Sequence, residues 1–187
     1  MSAEWVTAIA TLGTFVVIAA SAAAALVQLR HVRNSNQIAA FNEIRHKFES
    51  AEFRRAYHFV RYVMPARLDD PSFRRTVLDN ESEEWRMIAE LANFLDGTAA
   101  QFVKHGMVDS TLACDMWYGY VVWSWDALAP VIATKRAVLG YPLWEDFEYL
   151  TIRCKQFREK YPEGTFPKNM KPLPLPAPWQ DEEHANA

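Results

Sequence analysis

The sequence predicts an all-α protein: one N-terminal transmembrane helix running into a cytoplasmic helical bundle, with a proline-rich C-terminal tail. Three observations carry this. No charged residue occurs from Trp5 to Val27. Apolar residues then recur at threes and fours, and strand-like alternation never survives beyond a few residues. Near the C-terminus, KPLPLPAPW places prolines at alternate positions, which favours polyproline II and forbids a helix. The expected divisions are an anchor over 1–29, a helical domain over 30–160 and an extended tail over 161–187.

The opening run would span roughly 34 Å as a helix, enough for a hydrocarbon core of about 30 Å with some tilt. Thr7, Thr11, Thr14 and Ser21 interrupt it, but their hydroxyls can bond to the helix's own carbonyls. A cleaved signal peptide is the main rival, with Ala20–Ala22 as its cleavage site. It needs a basic leading segment, whereas MSAE carries Glu4 and no Lys or Arg. A buried helix of a soluble domain is the other rival. Arg30, Arg33, Arg45 and Lys47 follow the run, so the positive-inside rule places the N-terminus outside and the rest in the cytoplasm. Trp5 stands where an interfacial aromatic belongs. Ala20 with Ala24, and Ser21 with Ala25, would let two such helices approach closely.

Leu26, Leu29, Val32, Ile38, Phe41, Ile44 and Phe48 extend the periodicity past the polar turn Asn34–Gln37, so this helix is expected to run unbroken to about residue 49. A second helix is expected over about 50–63, stopped by Pro65, and Pro71 opens a short third segment. Asn80 reads as an N-cap with Glu83 closing a capping box, starting a helix that runs to about Lys104 and ends at Gly106. Asp109 or Ser110 caps the next helix, in which Pro130 should force a kink or a restart. After Gly140-Tyr141-Pro142 a last helix is expected over about 143–160.

Composition narrows the function classes. The formal net charge of -3 lacks the basic footprint of nucleic-acid binding. No Gly-rich phosphate loop, flavin signature or metal-ligand spacing occurs, so no cofactor is expected. Cys114 and Cys154, far apart and reduced in a cytoplasmic domain, read as small buried hydrophobes. Glu43-Ile44-Arg45-His46 is half of a carboxylate-bridged di-iron motif, but no second helical copy exists. His105, Asp109 and Cys114 are close in sequence with nothing resembling a nucleophile elbow.

The run MWYGYVVWSW is the most unusual stretch. Core packing explains one face, and Trp117, Tyr118 and Trp125 leave a surplus on the other side. Either the helix is buried on both sides, or a face is offered to a partner or to the membrane interface. Asp96 would need a partner if buried, and an Asp96–Arg136 bridge between helices would supply it. Pro172, Pro174, Pro176 and Trp179 could form a pre-stiffened ligand for an aromatic groove, a strap on the domain or a plain spacer.

LANFLDGTAAQFVKHGMVDSTL followed by WSWDALAPVIATKR resembles an uncharacterised bacterial family, catalogued as domain of unknown function four-seven-six-zero. The matching positions are Leu91, Asn93, Phe94 and Asp96, then Gly106, Val108 and Asp109, then Trp125, Leu128, Pro130, Ile132 and Arg136. Asp96 stands where the family pattern leads one to expect Glu. The resemblance runs from the anchor to about Phe157 and leaves the tail out. It implies a single-pass protein with a helical cytoplasmic part, and brings no activity with it.

The expected role is therefore a non-enzymatic, single-pass accessory subunit, scaffold or regulator at a bacterial inner membrane. It would meet the bilayer through residues 5–27 and a protein partner, or a second copy, elsewhere. The alternatives are a ligand sensor with a polar pocket around Asn93, Asp96, Trp125 and Arg136, and an enzyme using the His105, Asp109 and Cys114 region.

Overall fold

The computed structural model describes residues 3–167, 169–171 and 173–176, with side chains at 4–10, 33, 34 and 36 left aside. Trp5 as an interfacial side chain, and Pro172 and Trp179 as ligand positions, lie outside what is described. The described residues are helical with no strand. The first helix, α1, is unbroken from Ala3 to Glu49. Within it, the segment from Thr11 is long and apolar enough to cross a membrane, and the apolar window is unburied by the rest of the chain. The backbone therefore has no break at the expected boundary between anchor and domain.

Further along, α1 enters the core. Ala40, Ile44 and Phe48 recur at steps of four and are buried, because that spacing returns to one helix face. Phe48 is the hub. Its ring lies 4.8 Å from Phe53, 5.2 Å from Phe94, 5.2 Å from Trp117 and 5.0 Å from Tyr120, centroid to centroid. Lys47 pairs with Glu90 at 2.8 Å, and Gln37 donates to the Gly106 carbonyl at 3.4 Å.

Four shorter helices build one side of the bundle: α2 (Ala51–His58), α3 (Pro71–Leu78), α4 (Glu83–Phe94) and α5 (Gln101–Lys104). Ser50 caps α2 and Asp70 caps α3, each accepting a backbone N–H. Burial pushes the Tyr57 hydroxyl up to about 12. Two corrections concern α4. Its cap is Ser82, whose hydroxyl accepts from Trp85 N at 3.0 Å, and not Asn80. The Asn80 side chain instead accepts from Lys135 Nζ at 2.6 Å. The expected continuous helix to Lys104 also contains a π-helical turn, Leu95–Ala100, between α4 and α5. A similar turn, Phe59–Val63, follows α2.

The other side is α6 (Ser110–Leu139) packed on α7 (Glu145–Lys160). Asp109 caps α6, accepting from Leu112 N at 2.9 Å. The helix does not restart at Pro130. Asp126, four residues earlier, is exposed, so the carbonyl that Pro130 leaves unbonded is on the solvent side. Gly140 ends α6 at φ 72°, a conformation that favours glycine. Beyond α7, Thr165 donates to Asp115 at 3.0 Å, while Leu173 and Leu175 are exposed and do not form a strap against the domain.

Candidate functional site

Two stripes run along the first half of α6. Ala113, Trp117, Val121 and Leu128 are buried. Trp117 stacks on Phe41 and Phe48, with centroids 5.4 Å and 5.2 Å away. Trp125 is half-buried and meets Phe147 of α7 edge-on at 5.2 Å. Tyr118 is half-buried under the Arg158 guanidinium, 5.9 Å from its ring centre. These three aromatics are therefore not the surplus offered outward. The helix is covered on two sides, by α1 and by α7, and they fill both contacts.

The outward stripe is Leu112, Met116 and Trp123, which are 45%, 50% and 46% exposed. At 100° per residue they lie within about 40° of one line along the helix. Gly119 lies on that line. A Cβ there would meet the Trp123 ring at 3.1 Å, so glycine lets the indole fold down along the helix. The Arg61 guanidinium sits 5.1 Å from the same ring. The stripe continues toward α1. A cleft of about 420 Å³ opens between α1 and α6, lined by Gln37, Ile38, Phe41, Val108, Asp109 and Leu112. Gly119, four residues before Trp123, was the signal in the sequence for this face.

Asp96 and Arg136 do not pair with each other. Both hold the start of α7. Asp96 Oδ1 accepts from Phe147 N at 2.9 Å, acting as an N-cap supplied by another helix. The reason is local: Trp144, at the N-cap position, has φ 58° and no capping side-chain bond. Asn93 Oδ1 accepts from the Trp144 indole at 2.8 Å. Arg136 donates to the Leu143 carbonyl at 2.9 Å and to Glu148 at 2.7 Å. Asp146, buried in the first turn, accepts from Lys104 at 2.5 Å and from Gln101. The hydrogen bond to Asp146 raises the Lys104 ammonium above its ordinary value. The polar groups expected to line a ligand pocket are thus engaged in latching α7.

The remaining chemical candidates are also dispersed. His105 Nε2 meets Gln101 Oε1 at 2.9 Å, Asp109 caps α6, and Cys114 faces Cys154 with sulfurs 2.8 Å apart. Glu43 and His46 are exposed on α1. Among the described residues, no group of three or more His, Cys, Asp and Glu is placed to hold a metal ion. Pro174 and Pro176 are exposed, in chain that is neither helix nor strand.

Most positions that carry the family resemblance have structural duties. Asn93, Asp96, Trp125 and Arg136 grip α7, Gly106 turns the chain at φ 68°, Val108 is buried and Asp109 caps α6. No curated protein and no solved structure matches the chain. A family model described as a domain of unknown function, DUF4760, matches residues 15–154, from within α1 to within α7. The chain belongs to that family.

Proposed function

We propose that this protein is a non-enzymatic, single-pass membrane protein that serves as an accessory subunit, scaffold or regulator on the cytoplasmic face of a bacterial inner membrane. The observation that carries the reading is the exposed apolar stripe Leu112, Met116 and Trp123, whose Leu112 end shares a cleft with Ile38 of α1. Scattered exposed apolar residues need no explanation, whereas an aligned stripe beside a membrane exit fits an interaction face. The partner is a protein whose own membrane helix runs beside α1 and whose emerging turns fill the 420 Å³ cleft. The dispersed engagement of His105, Asp109 and Cys114 in separate contacts favours binding over catalysis.

Purification from native membranes in mild detergent tests this. The expected result is a stoichiometric co-purifying protein that is lost from Leu112→Ser/Met116→Ser while the domain stays folded. A monomer free of any companion, or a companion retained by the double variant, would overturn the reading. A homo-oligomer dispersed by the variant would make a second copy the partner.

A further inference from the structure

We propose that Cys114 and Cys154 form a reversible redox site that a small hydroperoxide converts from dithiol to disulfide, stapling α7 to α6. Three features meet here. The two sulfurs are 2.8 Å apart, inside the usual contact distance of two thiols, on two helices that pack extensively on one another. A disulfide needs about 2.05 Å between sulfurs, so the two sulfurs have less than an ångström to close. The site is also reachable. Cys114 lines a cleft of about 260 Å³ that opens to solvent between the start of α6 and the end of α7, with Ser110, Thr111, Arg153, Gln156 and Phe157 around it. Cys154 is fully buried behind it and is not part of that lining.

The asymmetry assigns the roles. The Cys154 S–H directed at Cys114, and secondarily the positive field of Arg153, hold the Cys114 thiol below its ordinary range. The hydrogen bond and burial push Cys154 up. Cys114 lines the cleft and Cys154 lies behind it, so Cys114 is the attacking sulfur and Cys154 the resolving one. In the first step the Cys114 sulfur bonds to one peroxide oxygen, the O–O bond breaks, and the leaving hydroxide takes the Cys114 proton as water. In the second step the Cys154 sulfur bonds to the Cys114 sulfur, the S–O bond breaks, and the leaving hydroxide takes the Cys154 proton as water. Overall two thiols and hydrogen peroxide give one disulfide and two waters. The sulfurs lose two electrons and the peroxide gains them. A low-molecular-weight thiol reverses the change by exchange. The narrow cleft and the 1% exposure of Cys114 restrict the oxidant to something small.

The bridge would close a loop of some 40 residues holding Pro130, the Gly140 turn and the α7 latch. Oxidation should raise the melting temperature of the helical domain by about ten degrees.

The test uses the full-length protein in detergent micelles, reduced, desalted and exposed to graded hydrogen peroxide. Free thiols are then counted under denaturing conditions, with linked peptides read by mass spectrometry. Exposed Met107 and Met116 report the dose by their sulfoxides. The expected result is joint loss of both thiols, an intramolecular Cys114–Cys154 peptide, and recovery with dithiothreitol before the methionines oxidise. Cys154→Ser should stop at a dimedone-reactive Cys114, and Cys114→Ser should leave Cys154 reduced. Intact thiols at doses that oxidise Met116 would overturn the proposal. So would loss of thiols through intermolecular bridges, or a pair already bridged when the cells are opened in a thiol-trapping buffer.

Discussion

Along α1, one continuous backbone carries two different surfaces. From Thr11 to Val32 every residue is exposed, including Phe15, Val16, Ile18, Leu26 and Leu29. From Ala40 to Phe48 the same helix buries one residue in four and exposes Glu43, Arg45 and His46 between them. Up to Val27 the first surface carries no charge on any face, so it calls for a solvent that is itself apolar. The second is amphipathic, so it calls for a protein core on one side and water on the other. Helix propensity does not distinguish them. What separates them is where the charges fall, and that decides which neighbour each segment needs.

The largest blow to the contrast should come at the hub. Phe48→Ala removes the ring that touches Phe53, Phe94, Trp117 and Tyr120. It should cost about 3–5 kcal/mol of domain stability, read by denaturant unfolding in micelles. At the other end, Val17→Arg should weaken membrane insertion by about 2.5–3.5 kcal/mol. Carbonate extraction of membranes would report it, and the unfolding curve of the domain should not move. If Val17→Arg destabilised the domain equally, the two surfaces would not be separate in the way described.

A third variant probes the domain away from α1. Asp96→Ala leaves the Phe147 N–H without its acceptor and should cost about 1–2 kcal/mol. Amide exchange should quicken in the first turn of α7 while the Ile44 and Phe48 region keeps its protection. Asp96→Glu should recover part of the loss, since a carboxylate remains within reach.

The smallest effect is one of pH. The Tyr57 hydroxyl titrates near 12 in the folded protein, above the ordinary value near 10. The folded state then holds a proton that the unfolded state releases, so stability is full below about pH 10 and declines as pH rises toward 12. Tyr57→Phe should flatten that part of the stability profile, measured as melting temperature against pH.

Much of this architecture is legible in the residues. The steps of four from Ala40 to Phe48 extend α1, Gly106 and Gly140 close helices, and Asp109 opens one. The failures share a cause. Asn80 and Ser82 are both good caps, and Lys135, 55 residues away, draws off the Asn80 side chain. Asp96 and Arg136 read as natural partners because they are opposite charges on segments expected to pack together, yet backbone groups at the start of α7 and just before it offered each a better bond. Trp117 and Trp125 read as surplus because α1 and α7 could not be placed against α6 from periodicity alone. In each case local chemistry was read correctly and a distant segment claimed the group. The π-helical turn at Leu95–Ala100 has no clear sequence mark beyond Gly97, yet it carries Asp96.

The seat of α1 in the domain has a mechanical side. Because the helix is unbroken and clamped at Ile44 and Phe48, it would work as a lever if its far arm lies in a membrane, as proposed. From Thr11 to Phe48 the arm is roughly 56 Å long. A change of about ten degrees in the anchor's tilt, such as a thinner or thicker bilayer would impose, swings the clamped end through roughly 10 Å. In that placement the orientation of every surface on the domain, the Leu112–Trp123 stripe included, would be geared to the thickness of the lipid around its first helix.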